Sequence, residues 1–412
     1  MSAMPPPAAL KPLAALLASL PLAGCYLLQA AAGQLDLEAR RVPLERVIAA
    51  PGTAPALRAQ LTLVRRAREF ATRELGLPDN GSYRAYADVG RPYVVWNVFA
   101  TPEFSIEPRT WCFPIAGCIA YRGYFAEARA RRFAHRLEVR GFDVLVGGVP
   151  AYSTLGHFAD PVLNTMLRSS DDELVAIIFH ELAHQQLYVR DDSAFNEAFA
   201  TVVEGEGLRR WLAAEGRSAA LAEFHGRQAR YAEVAALVGE TRERLRLLYA
   251  EPLPPTLMRE RKVSEFARLR AAYEERRARW GAAGFEGLFG AGMNNASLLA
   301  VATYQECVPG LEQRLAAAGG DLARFYAAAG ALARLAPAAR RAAACAAQRP
   351  TVSAETATSL SSPPRRSMRE VSSLSVTAGV PSRTSVSVTL LTTVAAESSA
   401  ASVTRTSLCT YS

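Results

Sequence analysis

The chain has 412 residues, a net charge of +8 and a pI near 9.3, with half of its residues hydrophobic and about a fifth charged. That is an ordinary globular composition with room for a sizeable core, in one large or two ordinary domains. Lys11 and Lys262 are the only lysines, and the arginines are scattered among glutamates, as from Arg129 to Arg140, with no dense basic run; this argues against nucleic acid as a partner.

Residues 1–24 contain one basic residue, Lys11, and then an apolar run from Leu13 to Leu22 that ends Leu22-Ala23-Gly24-Cys25. The run is shorter than the roughly 20 residues a bilayer span needs, so it reads as a signal peptide. Leu-Ala-Gly-Cys resembles the bacterial lipobox. The resemblance implies a lipid on Cys25, a mature amino terminus there, and a membrane-anchored protein facing the periplasm. A plain secretory peptide cut near Ala23-Gly24 is the alternative. In an oxidising compartment Cys112 and Cys118, which flank a short turn-like spacer, suit a disulfide. Cys307, Cys345 and Cys409 are scattered and receive no role.

From Tyr26 to about Leu77 the apolar spacing is helical, clearest in Leu57, Leu61, Val64, Ala71 and Leu75. Between Ser82 and about Tyr124 it gives way to short β-branched and aromatic runs such as Tyr93 to Phe99, broken by proline and glycine, which predict a small antiparallel sheet. A helix over Ala126 to Val139 and a strand over Phe142 to Val146 follow. The glycine-rich segment Gly147 to Gly156 comes next. It is either an edge strand that a peptide backbone approaches or a plain connection, and His157 beside it reads as an ordinary loop histidine.

Ser170-Asp171-Asp172-Glu173 has the form of a capping box, and Leu174, Ile177, Ile178 and Leu182 behind it keep helical spacing. On that helix lies His180-Glu181-Leu182-Ala183-His184. Two histidines four residues apart stand on one helix face, where both imidazoles reach one metal ion. A catalytic zinc ion takes three protein ligands and an open position, and Glu181 is then placed to accept a proton from water. A helix this apolar is largely buried, and burying two histidines and a glutamate is costly unless something satisfies them. The alternative is a buried helix whose histidines are merely hydrogen-bonded.

Arg190-Asp191-Asp192-Ser193 predicts a turn and the cap of a second helix reaching Trp211. A helical hairpin brings Glu197 back over the histidines as third ligand. Glu204, two turns further, is the alternative ligand; it or Thr201 otherwise orients a histidine. Beyond this the chain reads as helical to about Gln348, with a glycine-rich break at Gly281 to Gly292 and a charged, solvated helix over Arg259 to Arg279. From about Pro350 to Ser412 a Ser/Thr/Ala/Val-rich composition with a single aromatic residue predicts a disordered tail. The expected organisation is a signal peptide over 1–24, a metallopeptidase domain over 25–349 that divides at about residue 170, and the tail over 350–412.

The HExxH helix with a following Asn196-Glu197 resembles the gluzincin metallopeptidases. Together with Tyr93 to Val98, Trp111 to Pro114, Gly147 to Gly156 and Phe195 to Thr201, it looks like the bacterial family of predicted zinc aminopeptidase lipoproteins, over roughly Cys25 to Ala347. That resemblance implies an α+β, mostly helical zincin-like fold with a small sheet upstream of the zinc helix. It also implies one zinc ion, a peptide substrate and hydrolysis with Glu181 as general base. Tyr304 and Tyr152 are the candidate donors to the developing oxyanion. An endopeptidase, or a non-catalytic envelope lipoprotein with a structural zinc site, are the competing readings.

Overall fold

A computed structural model describes residues 26–113, 117–151, 153–281, 285–290, 292–305 and 307–345. Cys25, Tyr152 and the predicted signal peptide and tail lie outside them, as does the side chain of Tyr304. The description opens with helix α1 over residues 26–39, then strand β1 (Val42–Pro43), α2 (Leu44–Ala49) and α3 (Pro55–Leu75). Apolar positions of α3 at helical spacing, from Leu61 to Leu75, are buried, and Gly76 ends the helix in the left-handed conformation.

The strands follow: β2 (Ala85–Ala87), β3 (Val95–Pro102), β4 (Trp111–Phe113), β5 (Gly117–Ile119) and β6 (Tyr121–Tyr124), then α4 (Glu127–Glu138), β7 (Phe142–Val149) and β8 (Val162–Leu163). They form three small sheets rather than one: β1-β2-β8, β6-β3-β7, and the ribbon β4-β5. The purely antiparallel expectation fails at β2 and β8, which pair in parallel. The chain passes through β3 to β7 before β8 returns beside β2, and that long crossover permits the parallel direction. In the central sheet β3 is antiparallel to both neighbours, with Asn97 opposite Gly123 on one side and Gly147 on the other. Gly147 and Gly148 therefore belong to β7. A Cβ at Gly148 would lie 2.2 Å from the Tyr93 ring, so that glycine admits a neighbouring aromatic ring.

The rest is helical: α5 (Asp171–Gln186), α6 (Ser193–Ala214), α7 (Ser218–Tyr249), α8 (Pro255–Trp280), α9 (Glu286–Phe289), α10 (Asn295–Gln305), α11 (Val308–Ala317), α12 (Leu322–Ala333) and α13 (Pro337–Cys345). The main core joins α3, α5 and α6 to the first sheet and to α11 through α13. A second core lies between α7 and α8, where Phe266, Leu269 and Tyr273 form the buried stripe of an otherwise charged helix. Cys112 and Cys118, directly opposite in the β4-β5 ribbon, form a disulfide. A second disulfide joins Cys307 to Cys345. Sequence reading gave those two no partner, because their 38-residue separation offers no local signal.

Candidate metal centre and active-site cavity

Helix α5 starts where the sequence places it. Glu173 N donates to Ser170 Oγ, Ser170 N donates to Glu173 Oε2, and every residue from Leu174 to His184 is buried. His180 and His184 follow one another along the face toward α6, their ring centroids 4.8 Å apart.

The α5–α6 turn has its own clamp. Asn196, 1% exposed, donates its amide to Val189 O and accepts from Val189 N, both at 2.7 Å. A side-chain amide there replaces a strand neighbour for the turn backbone. Asp191 takes positive φ, and Asp192 caps α6 by accepting from Phe195 N at 3.1 Å. Arg340 of α13 reaches the same Asp192 at 2.6 Å. With the turn fixed, Glu197 projects back at α5. Its Oε2 lies 3.4 Å from His180 Nε2 and 3.6 Å from His184 Nε2.

These three side chains offer donor atoms that all lie within 4.8 Å of one another. Ligand atoms sharing one tetrahedral zinc at 2.0–2.1 Å stand about 3.4 Å apart, which matches the two carboxylate–imidazole distances. Glu197 Oε2 is fully buried and makes no hydrogen bond. A buried carboxylate oxygen without a donor is costly, and a cation at this point removes the deficit. Burial would lower the His180 pKa, but Glu197 and Glu204 outweigh it and hold the imidazole well above its ordinary range. Burial likewise works to raise Glu197, whereas His184 and His180 drive it down to about 2.

Glu204 stands 2.9 Å from His180 Nδ1. It is outside the three-residue group and turns Nε2 of His180 toward that group. Thr201, one turn beyond Glu197, lines the cavity without belonging to the group. Glu181 is buried beside the histidines. Burial raises its carboxyl pKa, while the two imidazoles pull in the opposite direction.

The cluster opens into a cavity of about 440 Å³, a size that holds one or two amino-acid residues. One wall is α5 and α6. The facing wall is β3, β6, the loop after β7 and the first turns of α1, through Asn97, Tyr121, Ser153, Tyr26 and Gln29, and α7 and α10 complete the lining through Arg227, Tyr231 and Ala300. That loop is held by Asp160, which accepts from Thr154 N at 3.0 Å, from Thr154 Oγ1 at 2.7 Å and from Gln185 Nε2 at 3.3 Å. His157 is exposed and does not line the cavity.

Tyr121, which the sequence reading did not single out, does line it. Burial raises its phenol pKa, and the nearby charges of Glu197 and Glu181 add to that, so the group stays a hydroxyl donor. Its place on a strand opposite Phe99 follows from pairing in the sheet, which no local motif announces.

A family model described as "Putative aminopeptidase" matches residues 25–344. The chain belongs to this Aminopep family. The matched span covers both walls of the cavity and ends one residue before Cys345. No curated protein and no solved structure gives a significant match to the Aminopep chain.

Proposed function

We propose that this Aminopep protein is a zinc-dependent aminopeptidase of the bacterial envelope, tethered through a lipid on Cys25. The observation that carries the reading is the convergence of His180, His184 and Glu197 on one buried point, with Glu181 adjacent in an open cavity. A zinc ion held by those three would supply the Lewis acidity that polarises a peptide carbonyl and acidifies water. Glu181 takes the proton from the attacking water and returns it to the departing amine as the C–N bond breaks. Its raised pKa suits a group that must both accept and donate near neutral pH. Tyr121 donates its phenol hydrogen to the oxyanion that develops on the carbonyl oxygen, the part assigned in the sequence reading to Tyr304 or Tyr152. Glu204 keeps His180 in the orientation that aims Nε2 inward.

The charge of the lining favours an amino terminus as the bound end of the substrate. Apart from Glu197, the cavity is lined by Glu173, Glu181 and Glu204 against Arg227, and Arg227 is already paired with Glu223 at 3.0 Å. Glu173 and Glu204 are themselves engaged by Ser170 N and His180, but their charge adds to that of Glu181, and this excess of carboxylates suits an ammonium group. An endopeptidase gains nothing from it, and a structural zinc site has no use for Glu181. The two disulfides support an oxidising compartment, in line with the Leu-Ala-Gly-Cys signal.

The test compares wild type with Glu181→Gln for bound zinc and for hydrolysis of peptides with free or acetylated amino termini. Full zinc with activity lowered about 10²–10⁴-fold, and cleavage of free amino termini only, are the expected results. An active Glu181→Gln enzyme overturns the mechanism, and equal cleavage of acetylated peptides overturns the aminopeptidase assignment.

A further inference from the structure

The first two turns of α1 read Tyr26-Leu27-Leu28-Gln29-Ala30-Ala31-Ala32-Gly33, and their polarity is reversed relative to an ordinary surface helix. The single polar side chain points inward: Gln29 donates to Gly123 O at 3.4 Å and accepts from Phe125 N at 3.3 Å, closing the free edge of β6. Gly33 lets the helix lie on Phe125, whose ring would be 2.2 Å from a Cβ there. The leucines point outward, with Leu27, Leu28 and Leu35 exposed by 47%, 70% and 68%. At about 100° per residue these three and the exposed Ala31 and Ala32 share one arc of about 140°, which Glu38 of the last turn also enters, paired with Arg41. Helical turns apolar on both faces, as the first two of α1 are, belong between two apolar neighbours, and the fold supplies one.

Two observations indicate the other neighbour. The apolar run Leu13 to Leu22 ends three residues before Cys25, and the described part of α1 opens at the next residue, Tyr26. Helix α4, which presents exposed arginines, is linked to the start of α1 through the half-buried Arg122. The Arg122 guanidinium lies 4.1 Å from the Tyr26 ring centre and 4.7 Å from that of Phe133 on α4, and Arg136 covers Phe133 from 5.5 Å. Helix α4 also exposes Arg129 and Arg132. Of its two acids, Glu127 pairs with Arg131 and Glu138 lies beside His135.

We propose that this surface docks on a lipid bilayer bearing anionic headgroups. The leucine arc of α1 enters the interface and the α4 arginines meet the headgroups. Apolar burial combined with headgroup attraction is the binding mode of interfacial helices. The inference rests on the envelope part of the function proposed above, but the contact itself needs no lipid on Cys25. Because Tyr26, Gln29 and Ala30 on the inner face line the catalytic cavity, docking puts that cavity one helix diameter, about 10 Å, from the membrane. The substrates it favours are then peptides held at the bilayer surface.

The experiment uses the full chain carrying Cys25→Ser, with a photo-reactive amino acid at Leu28, Leu35, Arg132, Leu247 or Val263, mixed with phosphatidylglycerol-containing or purely phosphatidylcholine vesicles. Lipid adducts at Leu28, Leu35 and Arg132 but not at Leu247 or Val263, and stronger with the anionic vesicles, are the expected result. Leu28→Glu with Leu35→Glu should lower the Arg132 adduct about tenfold without moving the melting temperature. Adducts at Leu28 alone mean that the start of α1 touches lipid without the rest of the surface docking, and overturn the proposal. So do equal labelling at Leu247 and Val263, or adducts to a second copy or to the chain's own terminal segments. The mass of the wild-type amino-terminal peptide reports lipidation separately, so failure of the anchor and failure of the docking face are distinguishable.

Discussion

The two walls of the catalytic cavity are built in different ways. The α5–α6 wall comes from one continuous hairpin, in which the cap at Ser170, the spacing of His180 and His184 and the Asn196 clamp are all local. The opposite wall collects α1, β3, β6 and the loop after β7, elements joined by sheet pairing and by contacts such as Gln29 to Phe125 across 96 positions. The first wall holds the candidate metal ligands and Glu181, and the second supplies Tyr121 and shapes what enters. A local hairpin can be fixed by its own hydrogen bonds. An assembled wall depends on the whole fold and is correspondingly free to differ in what it admits.

The sharpest way to break this contrast is at Glu197. Glu197→Gln should remove stoichiometric metal and lower peptide hydrolysis by about 10³-fold or more, with metal analysis and initial rates as the measurements. Wild-type metal content in that variant would show that the hairpin is not the metal-holding wall.

The second wall is linked to the first through Asp160, and pH exposes the link. Burial raises the Asp160 pKa from 3.8 to about 6, while the hydroxyl and amide of Thr154 work to lower it. The folded chain therefore holds this proton more tightly than the unfolded chain. Its contribution to stability is full below about pH 4 and is lost as pH rises to about 6, by roughly 3 kcal/mol. Denaturation of wild type and Asp160→Asn across that range should show a steeper loss of stability in wild type, the difference between the curves growing with pH. Parallel curves would mean that Asp160 carries no such charge penalty.

On the assembled wall, Tyr121→Phe should lower kcat about a hundredfold with metal and KM little changed. A change in KM alone would make Tyr121 a shaping residue instead of a donor. The smallest effect expected is that of Asn196→Ala, about 2 kcal/mol of stability from two lost buried hydrogen bonds, read from denaturation midpoints. An unchanged midpoint would show that the turn holds without its clamp.

What was legible in the sequence follows the same division. The capping box, the helix carrying both histidines, the following cap and Glu197 all announce themselves within a few residues, and the structure brings His180, His184 and Glu197 together. The sheet was legible as strands but not as pairings. Runs from Ser82 to Tyr124 carry β-favouring residues, yet nothing in them states that β2 will find β8 or that Tyr121 will face the cavity. The pair Cys307 and Cys345 was missed for the same reason, although once Cys25 is set aside for lipid and Cys112 joined to Cys118, an odd remainder of three cysteines invites one more bond.

The bond between Cys307 and Cys345 bears on when the metal centre becomes complete. Helix α13 is the last described element, and its Arg340 is buried against Asp192, the residue that caps the helix carrying Glu197. The disulfide ties α13 to the start of α11, so both fastenings of the α6 cap come from the far end of the chain. During synthesis the two histidines and Glu197 emerge long before Arg340 does. A chain that is incomplete, or whose Cys307 and Cys345 are still reduced, holds its third ligand on a less firmly anchored helix. The carboxyl-terminal helices thus make a firmly held His180-His184-Glu197 group a late product of folding, complete only once the last described helix is in place and its disulfide has formed.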